Sequence, residues 1–105
     1  MDWIYLLVAG ACEIGFTTFL KLSNNFTRFW PTVLFIVLAF LSFFFLSLSL
    51  KSIPLGTSYA IWTGIGAFGT ALIGILCFEE PANLWRLFFL ILLISSVIGL
   101  KLITN

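Results

Sequence analysis

Charge is scarce in this sequence. Only 9% of its 105 residues are charged, whereas soluble proteins carry about 25%. Five basic and four acidic residues leave a formal net charge of +1, so the chain offers no basic footprint for nucleic acid. The shortage of charge also excludes an ordinary soluble domain, because such a domain needs many charged side chains on its surface.

Histidine is absent, and the two cysteines, Cys12 and Cys77, lie far apart inside apolar runs. These features exclude a metal-ligand cluster and a disulfide framework. A catalytic triad would lack its histidine, and no polar segment is long enough to carry an active site. We therefore expect neither a metal ion nor a cofactor, and an enzyme is the least expected class of protein.

Hydrophobic residues make up 62% of the sequence, above the usual level of about 45–50%. The few charged and turn-forming residues divide residues 1–105 into four apolar segments, at roughly 3–20, 30–50, 55–78 and 84–103. Each segment is long enough to cross about 30 Å of hydrocarbon as a helix. A β-barrel would need alternating segments of about ten residues, which are absent. The sequence predicts an all-α integral membrane protein, a single domain of four transmembrane helices.

Basic residues are divided almost evenly between the two sides of the membrane. Four crossings place Lys51 and Lys101 on one side and Lys21, Arg28 and Arg86 on the other. Cytoplasmic loops usually carry the excess of lysine and arginine, and here the excess is one residue. So small a bias predicts that copies insert in both orientations and pair as an antiparallel homodimer. The alternative is a single orientation with the second side in the cytoplasm.

Glu13 is the only charged residue deep inside any of the four segments. A carboxylate near the middle of the bilayer costs about 2.5–3.5 kcal/mol to insert, so an acid there indicates a functional site. Such a carboxyl group can exchange a proton for a cation. Gly10 and Thr17 lie on the same helical face, where the small residue leaves room for a ligand. The alternatives are a protonated glutamate that links helices and a stripe of small residues for packing.

The third segment adds an aromatic face, on which Tyr59, Trp62 and Gly66 recur at helical spacing. Trp62 lies away from the helix ends, and its ring can attract a cation while its N–H group bonds a carboxylate. In the second segment, Ser42 interrupts a phenylalanine-rich run and can donate a hydrogen bond to Glu13. Plain packing of Trp62 and a bond from Ser42 back to its own helix are the alternatives.

Small residues mark two further features. Gly64 and Gly66 lie in mid-helix, where they indicate either the hinge of a transporter or close packing between helices. Ser95 and Ser96 are the polar groups in the interior of the fourth segment. This small patch predicts a dimer contact.

The residues closely resemble the small multidrug resistance family over essentially the whole chain. The most specific likenesses are the position of the glutamate in Gly10-Ala11-Cys12-Glu13 and the string Gly56-Thr57-Ser58-Tyr59-Ala60-Ile61-Trp62. Trp62-Thr63-Gly64-Ile65-Gly66-Ala67 and Ile98-Gly99-Leu100-Lys101 look more like the guanidinium-exporter subtype than the quaternary-ammonium subtype. The resemblance implies a dual-topology dimer, proton-coupled antiport and an essential membrane glutamate.

Phe16 departs from the pattern of the guanidinium-exporter subtype, which usually has tryptophan at this position to hydrogen-bond the central glutamate. Phenylalanine cannot donate that bond, and Thr17-Thr18 beside it looks more like the drug-exporting branch. Some family members work only as paired unlike subunits, so a heterodimer is the alternative to the homodimer. The substrate site is expected to be lined by Gly10, Phe16, Ser42, Tyr59 and Trp62.

The sequence and the resemblance together predict export of guanidinium-like small cations in exchange for protons, with Glu13 as the shared carboxylate. A planar fork of N–H donors can engage a carboxylate through two hydrogen bonds, which offsets part of the lost hydration. The alternatives are broad export of quaternary ammonium ions and a non-transporting assembly subunit or pore former. The expected location is the bacterial cytoplasmic (inner) membrane, where lipid surrounds the chain.

Overall fold

The computed structural model describes residues 2–104, which form four helices joined by three short connections. The helices are α1 (Asp2–Leu22), α2 (Phe29–Ser49), α3 (Leu55–Cys77) and α4 (Leu84–Ile103). Each is long and apolar enough to cross a membrane. The prediction of an all-α chain with four such helices is confirmed for the described residues. The pairing of two copies in opposite orientations stays a prediction.

The connection between α1 and α2 is a tight turn built on asparagine. Asn24, Asn25 and Phe26 have positive φ angles of 49°, 61° and 66°, and asparagine is among the few residues that tolerate this region. Ser23 closes the turn, because its hydroxyl donates to the Leu20 carbonyl oxygen over 2.7 Å and accepts from the Phe26 amide over 3.2 Å. The turn allows α2 to return alongside α1.

Proline and asparagine mark the starts of α3 and α4. Pro54 directly precedes α3 with a φ angle of −56°, and the missing N–H group of proline costs nothing at a helix start. Asn83 caps α4, where its side-chain oxygen accepts from the Arg86 amide over 2.8 Å. A cap of this kind stabilises a helix by about 1 kcal/mol.

Contacts between helix ends show that consecutive helices run in opposite directions. The Ser52 hydroxyl, after α2, donates to the Asp2 carboxylate at the start of α1. The Lys101 ammonium group, near the end of α4, lies 4.9 Å from the centre of the Trp3 ring. At the opposite end, the Lys21 ammonium group lies 5.3 Å from the centre of the Phe78 ring, which follows α3. The start of α1, the α2–α3 connection and the end of α4 therefore share one side.

The four helices form one flat layer of 43 × 35 × 17 Å. α1 packs against both α2 and α3, and α4 packs against α3, so the order across the layer is α2, α1, α3, α4. Many large apolar side chains of α2 and α4 are exposed, which indicates that lipid or another chain covers them. The buried apolar residues of the described chain are Leu6, Ala9, Ile53, Ile61, Trp62 and Val97.

Glycine lets α1 approach its two neighbours closely. A Cβ atom at Gly10 would lie 2.6 Å from Ile65 Cγ2 on α3, and one at Gly15 would lie 2.9 Å from Leu38 Cδ1 on α2. Both distances are too short for ordinary contact, so a side chain at either position would force its neighbour on the other helix to shift. Small residues at such contacts are typical of membrane helices, and here they hold Glu13 of α1 against α3.

Candidate cation-binding site

Glu13 lies near the middle of α1, about 16 Å along the axis from the start of the helix at Asp2. Its side chain lies over Gly66 of α3, because a Cβ atom at position 66 would overlap the carboxyl group. The Oε1 atom of Glu13 is buried and has no hydrogen-bond partner among the described residues. A buried carboxylate oxygen without a partner is costly, and a proton or a cation would remove that cost.

A cleft of about 350 Å³ opens beside Glu13. This volume falls within the range of about 300–1,000 Å³ that is usual for small-molecule sites. The α3 residues of the lining recur at helical spacing and are all small, which leaves space above that helix. The lining residues are Glu13, Thr17, Thr63, Gly66, Ala67, Thr70, Ala71, Glu80 and Arg86.

Threonine hydroxyl groups supply neutral polar atoms to the cleft. The Thr17 hydroxyl donates within its own helix, to the carbonyl oxygen of Glu13 or of Ile14, each 3.0 Å away. Its oxygen also lies 2.6 Å from the Thr70 hydroxyl oxygen, and the two hydroxyl groups share a hydrogen bond. This bond ties α1 to α3 one turn beyond Glu13.

Charged groups lie at both ends of the cleft. Glu13 lies at the inner end, and Glu80 lies at the outer end with Arg86. The Nη2 atom of Arg86 donates to Glu80 Oε1 over 2.6 Å, and its Nη1 atom donates to the Pro81 carbonyl oxygen over 3.1 Å. The side chains of this ion pair are partly exposed, so the outer end of the cleft is polar and accessible.

Ser42 and Trp62 form a buried chain of hydrogen bonds that ends on the backbone of α1. Trp62 Nε1 donates to Ser42 Oγ over 2.9 Å, and Ser42 Oγ donates to the Ala9 carbonyl oxygen over 2.7 Å. The expected bond from Ser42 to Glu13 is therefore wrong for the single chain, because the one hydroxyl hydrogen is given to Ala9. The N–H group of Trp62 is likewise given to Ser42 and not to a carboxylate.

The carbonyl group of Ala9 also has a helical role. Hydrogen bonds in an α-helix join the amide of residue i to the carbonyl of residue i−4, so Ala9 accepts from the amide of Glu13. Ser42 therefore anchors α2 to the turn of α1 that carries the acid. Whether Ser42 and Trp62 line the substrate site stays a prediction.

The aromatic residues form a cluster around Trp62, apart from the cleft. The ring centres of Phe43 and Tyr59 lie 5.3 and 5.8 Å from that of Trp62. Phe16 joins the cluster through Phe43, at 6.5 Å, and meets the Phe35 ring edge to face at 5.8 Å. None of these residues lines the cleft beside Glu13. The single chain thus brings Phe16 of α1 together with Tyr59 and Trp62 of α3 on the side that faces α2. The cleft lies along another face of α3.

The glycines predicted for the site and the hinge are packing positions in this chain. Gly10 is buried against α3, Gly64 lies against Val97 of α4, and Gly66 lies against Glu13. Of the three, Gly66 lines the cleft. α3 runs unbroken through Gly64 and Gly66, which agrees with the close-packing alternative and leaves the hinge as a prediction.

Ser95 and Ser96 lie on the exposed part of α4. Their hydroxyl groups donate to the carbonyl oxygens of Ile91 and Leu92, over 2.8 and 3.0 Å. Because both hydrogens are used within the helix, a dimer contact at this patch would depend on small size and not on hydrogen-bond donation. That contact is untested by the single chain.

Sequence reasoning missed four polar or charged residues of the cleft, in addition to Ala67 and Ala71. Thr63 and Thr70 lie at i and i+7 on one face of α3, and the helical period was the signal that could have found them. Glu80 and Arg86 have no such signal, because their position depends on how the α3–α4 connection folds. The Glu80 amide donates to the Gly74 carbonyl oxygen over 3.1 Å, which turns the connection back over the end of α3.

The chain is similar to known membrane transporters along nearly its whole length. The model of the Small Multidrug Resistance protein family matches residues 1–93. A guanidinium exporter of Proteus vulgaris is 48% identical over 102 residues, which cover 97% of this chain and 98% of the relative. Guanidinium exporters of Yersinia pseudotuberculosis, with 45% identity and the same coverage, and of Citrobacter freundii, with 44% identity over 105 residues and 100% of both chains, are also similar.

These relatives are named as exporters, which are transporters and not enzymes, in agreement with the class expected from the sequence. The four helices, each long and apolar enough to cross a membrane, agree with a membrane protein. The chain is a multi-pass membrane protein and belongs to the small multidrug resistance family.

Proposed function

We propose that the protein exports guanidinium-like small cations across the bacterial inner membrane in exchange for protons. The observation that carries the proposal is the carboxyl group of Glu13, whose Oε1 atom is buried and unpartnered among the described residues beside a cleft of about 350 Å³. The names of the similar guanidinium exporters support the choice of substrate.

Guanidinium suits the chemistry of this cleft. Its planar fork of N–H groups can donate two parallel hydrogen bonds to the carboxylate of Glu13, and such bonds are stronger than those between neutral groups. The hydroxyl oxygens of Thr17, Thr63 and Thr70 line the same space and can accept the remaining N–H groups. The small residues of α3 leave room for a flat cation.

Exchange follows from the use of one carboxylate for two ligands. Glu13 with a bound proton is neutral and has no charge to attract a cation, whereas ionised Glu13 holds the cation in place of the proton. Each ligand therefore displaces the other. If the site opens to one side of the membrane at a time, a proton that enters from outside releases a cation there, and the cation gradient and proton gradient become linked.

We propose that a second copy of the chain closes the cation site. The layer of helices is only 17 Å thick, and a single layer leaves the cleft open on one face. A copy in the opposite orientation would close that face, and the near balance of basic residues between the two sides favours insertion both ways. The two Glu13 side chains would then meet and titrate as one coupled unit. We propose a homodimer. The alternative is a heterodimer with a similar subunit.

Transport in liposomes tests the function. Purified protein is reconstituted with a pH-sensitive dye inside the vesicles, and guanidinium is added outside. We expect guanidinium uptake with proton release, and a pH gradient alone should drive guanidinium against its own gradient. Protein-free vesicles are the control. Guanidinium movement without proton movement, or no movement in either direction, would contradict the proposal.

Export of quaternary ammonium ions is the second candidate. Tyr59 is 58% exposed beside the buried Trp62, and an accessible aromatic ring can attract a cation that has no N–H group. Tetraethylammonium is therefore tested in the same vesicles. Proton-coupled transport of tetraethylammonium that is faster than that of guanidinium would favour this candidate.

A further inference from the structure

A second carboxylate occupies the outer end of the Glu13 cleft. The Glu80 side chain lies over Gly74 of α3, much as Glu13 lies over Gly66. The two glycines lie at i and i+8 of the same helix and are about 12 Å apart along its axis. The cleft thus has one acid near the middle of α1 and one where α3 ends.

Glu80 already binds a guanidinium group, that of Arg86. Arg86 Nη2 donates to Glu80 Oε1 over 2.6 Å, while Nη1 donates to the Pro81 carbonyl oxygen over 3.1 Å. The side chains of Arg86 and Glu80 are 29% and 40% exposed. Ion pairs exposed to this degree are weak and open readily, because water competes for both partners. The contact is therefore weak enough to exchange.

We propose that Glu80 is an outer binding site for the transported cation, at which the guanidinium group of the substrate displaces that of Arg86. This inference rests on the proposed function. The exchange replaces one planar fork of N–H donors by another on the same carboxylate, so neither state leaves Glu80 without a partner. The released Arg86 side chain, at the first turn of α4, returns to water.

The region between the two acids has suitable chemistry for the passage of a small N–H donor. Thr17, Thr63 and Thr70 line the cleft that joins Glu13 to Glu80, and their oxygens can accept hydrogen bonds along the way. A tetra-alkylammonium ion has no N–H group and cannot replace Arg86 on Glu80 through hydrogen bonds. The outer site therefore selects guanidinium over quaternary ammonium ions before either reaches Glu13.

A matched pair of variants tests the outer site. Glu80→Gln removes the carboxylate at the mouth, and Glu79→Gln removes a neighbouring carboxylate that is exposed and does not line the cleft. In reconstituted vesicles we expect Glu80→Gln to raise the KM for guanidinium at least threefold with little change in kcat, and Glu79→Gln to leave the KM within a factor of two. Equal KM values for the two variants would overturn the outer site.

A variant of Arg86 distinguishes substrate binding by Glu80 from a purely structural role of the Glu80–Arg86 ion pair. Arg86→Lys keeps the positive charge, and so the balance of basic residues, but lysine lacks the planar fork and competes less well for Glu80. If Glu80 binds the substrate, the KM for guanidinium in Arg86→Lys equals or falls below that of the wild type. If the ion pair only holds the loop, Arg86→Lys raises the KM together with Glu80→Gln, and that result would overturn the inference.

The same measurements distinguish this inference from the proposed function. If the wild type moves no guanidinium, the proposed function fails and the outer site fails with it. If the wild type and Glu79→Gln transport guanidinium and Glu80→Gln does so with an unchanged KM, only the outer site fails. Transport of tetraethylammonium, where it occurs, should respond to Glu80→Gln less than twofold.

Discussion

The carboxyl group of Glu13 occupies the space directly over Gly66, where any larger residue on α3 would place its side chain. The acid that the sequence singles out on α1 therefore depends on the absence of a side chain on another helix. Gly66 is buried at this contact, and the Thr17–Thr70 hydrogen bond, one turn further along α1, holds the two helices in the same register.

Gly66→Ala tests this relationship. The added methyl group would overlap the Glu13 carboxyl group, so we expect the acid to move and guanidinium transport to fall at least tenfold in vesicles, an effect of about 1.4 kcal/mol or more. Gly56→Ala is the matched control, because a Cβ atom at Gly56 meets nothing within 4 Å. Equal transport by both variants would mean that Glu13 does not need its place over Gly66.

Glu13→Gln tests the shared carboxylate. The substitution removes the charge that attracts either ligand but keeps the shape of the side chain, so we expect loss of coupled exchange with the chain still folded. Proton release on addition of guanidinium measures the coupling, and helical circular dichroism measures the fold. Robust proton-driven transport by this variant would contradict the mechanism.

Glu13→Asp is the conservative companion of that variant. The carboxylate is kept, but its shorter reach changes its distance from α3 and its burial. We expect partial activity with a shifted pH profile of transport. An unchanged profile and full activity would show that the exact reach of the acid does not matter.

Ser42→Ala breaks the hydrogen-bond chain between Trp62 and Ala9. The buried N–H group of Trp62 then lacks its partner, which should destabilise the fold by about 1–3 kcal/mol and loosen the turn that carries Glu13. Denaturant unfolding in detergent and guanidinium transport should both be weakened. Ser47→Ala is the control, because the exposed Ser47 hydroxyl donates only to the Phe44 carbonyl oxygen of its own helix.

Phe16→Trp restores an indole N–H group at the position where this chain departs from the guanidinium-exporter pattern. If the indole at position 16, three residues beyond Glu13 on α1, reaches the carboxylate, the new donor should favour a substrate that hydrogen-bonds, and we expect the ratio of guanidinium to tetraethylammonium transport to rise. Phe40→Trp makes the same change on the exposed face of α2, where Phe40 is 69% exposed. Identical ratios in both variants would remove Phe16 from the selectivity of the site.

Additional lysine residues at the C-terminus test the orientation. The chain has an excess of one basic residue on one side, so two or three added lysines should drive most copies into one orientation and lower activity. Co-expression with an oppositely biased version should restore the activity. Cysteine labelling from each side of the membrane measures orientation, and a wild-type chain labelled from one side only would argue against the antiparallel homodimer.

Sequence alone determined the membrane class and the number of helices. Apolar segments long enough to span a bilayer must satisfy their backbone groups internally, so composition and length leave helices as the solution. It also singled out Glu13, because a lone acid in an apolar segment carries a high free-energy cost of insertion into the membrane. These are properties of single segments, and they do not depend on which helices are neighbours.

The partners of these residues were decided only by the tertiary structure. Ser42 was expected to bond Glu13, but the order of helices in the layer aims its hydroxyl group at Ala9. Glu80 and Arg86 lie far from Glu13 in the chain and reach its cleft because the connection after α3 folds back. A hydroxyl hydrogen or a carboxylate bonds whatever the packing brings within about 3 Å, and that distance depends on how whole helices pack and not on any one segment.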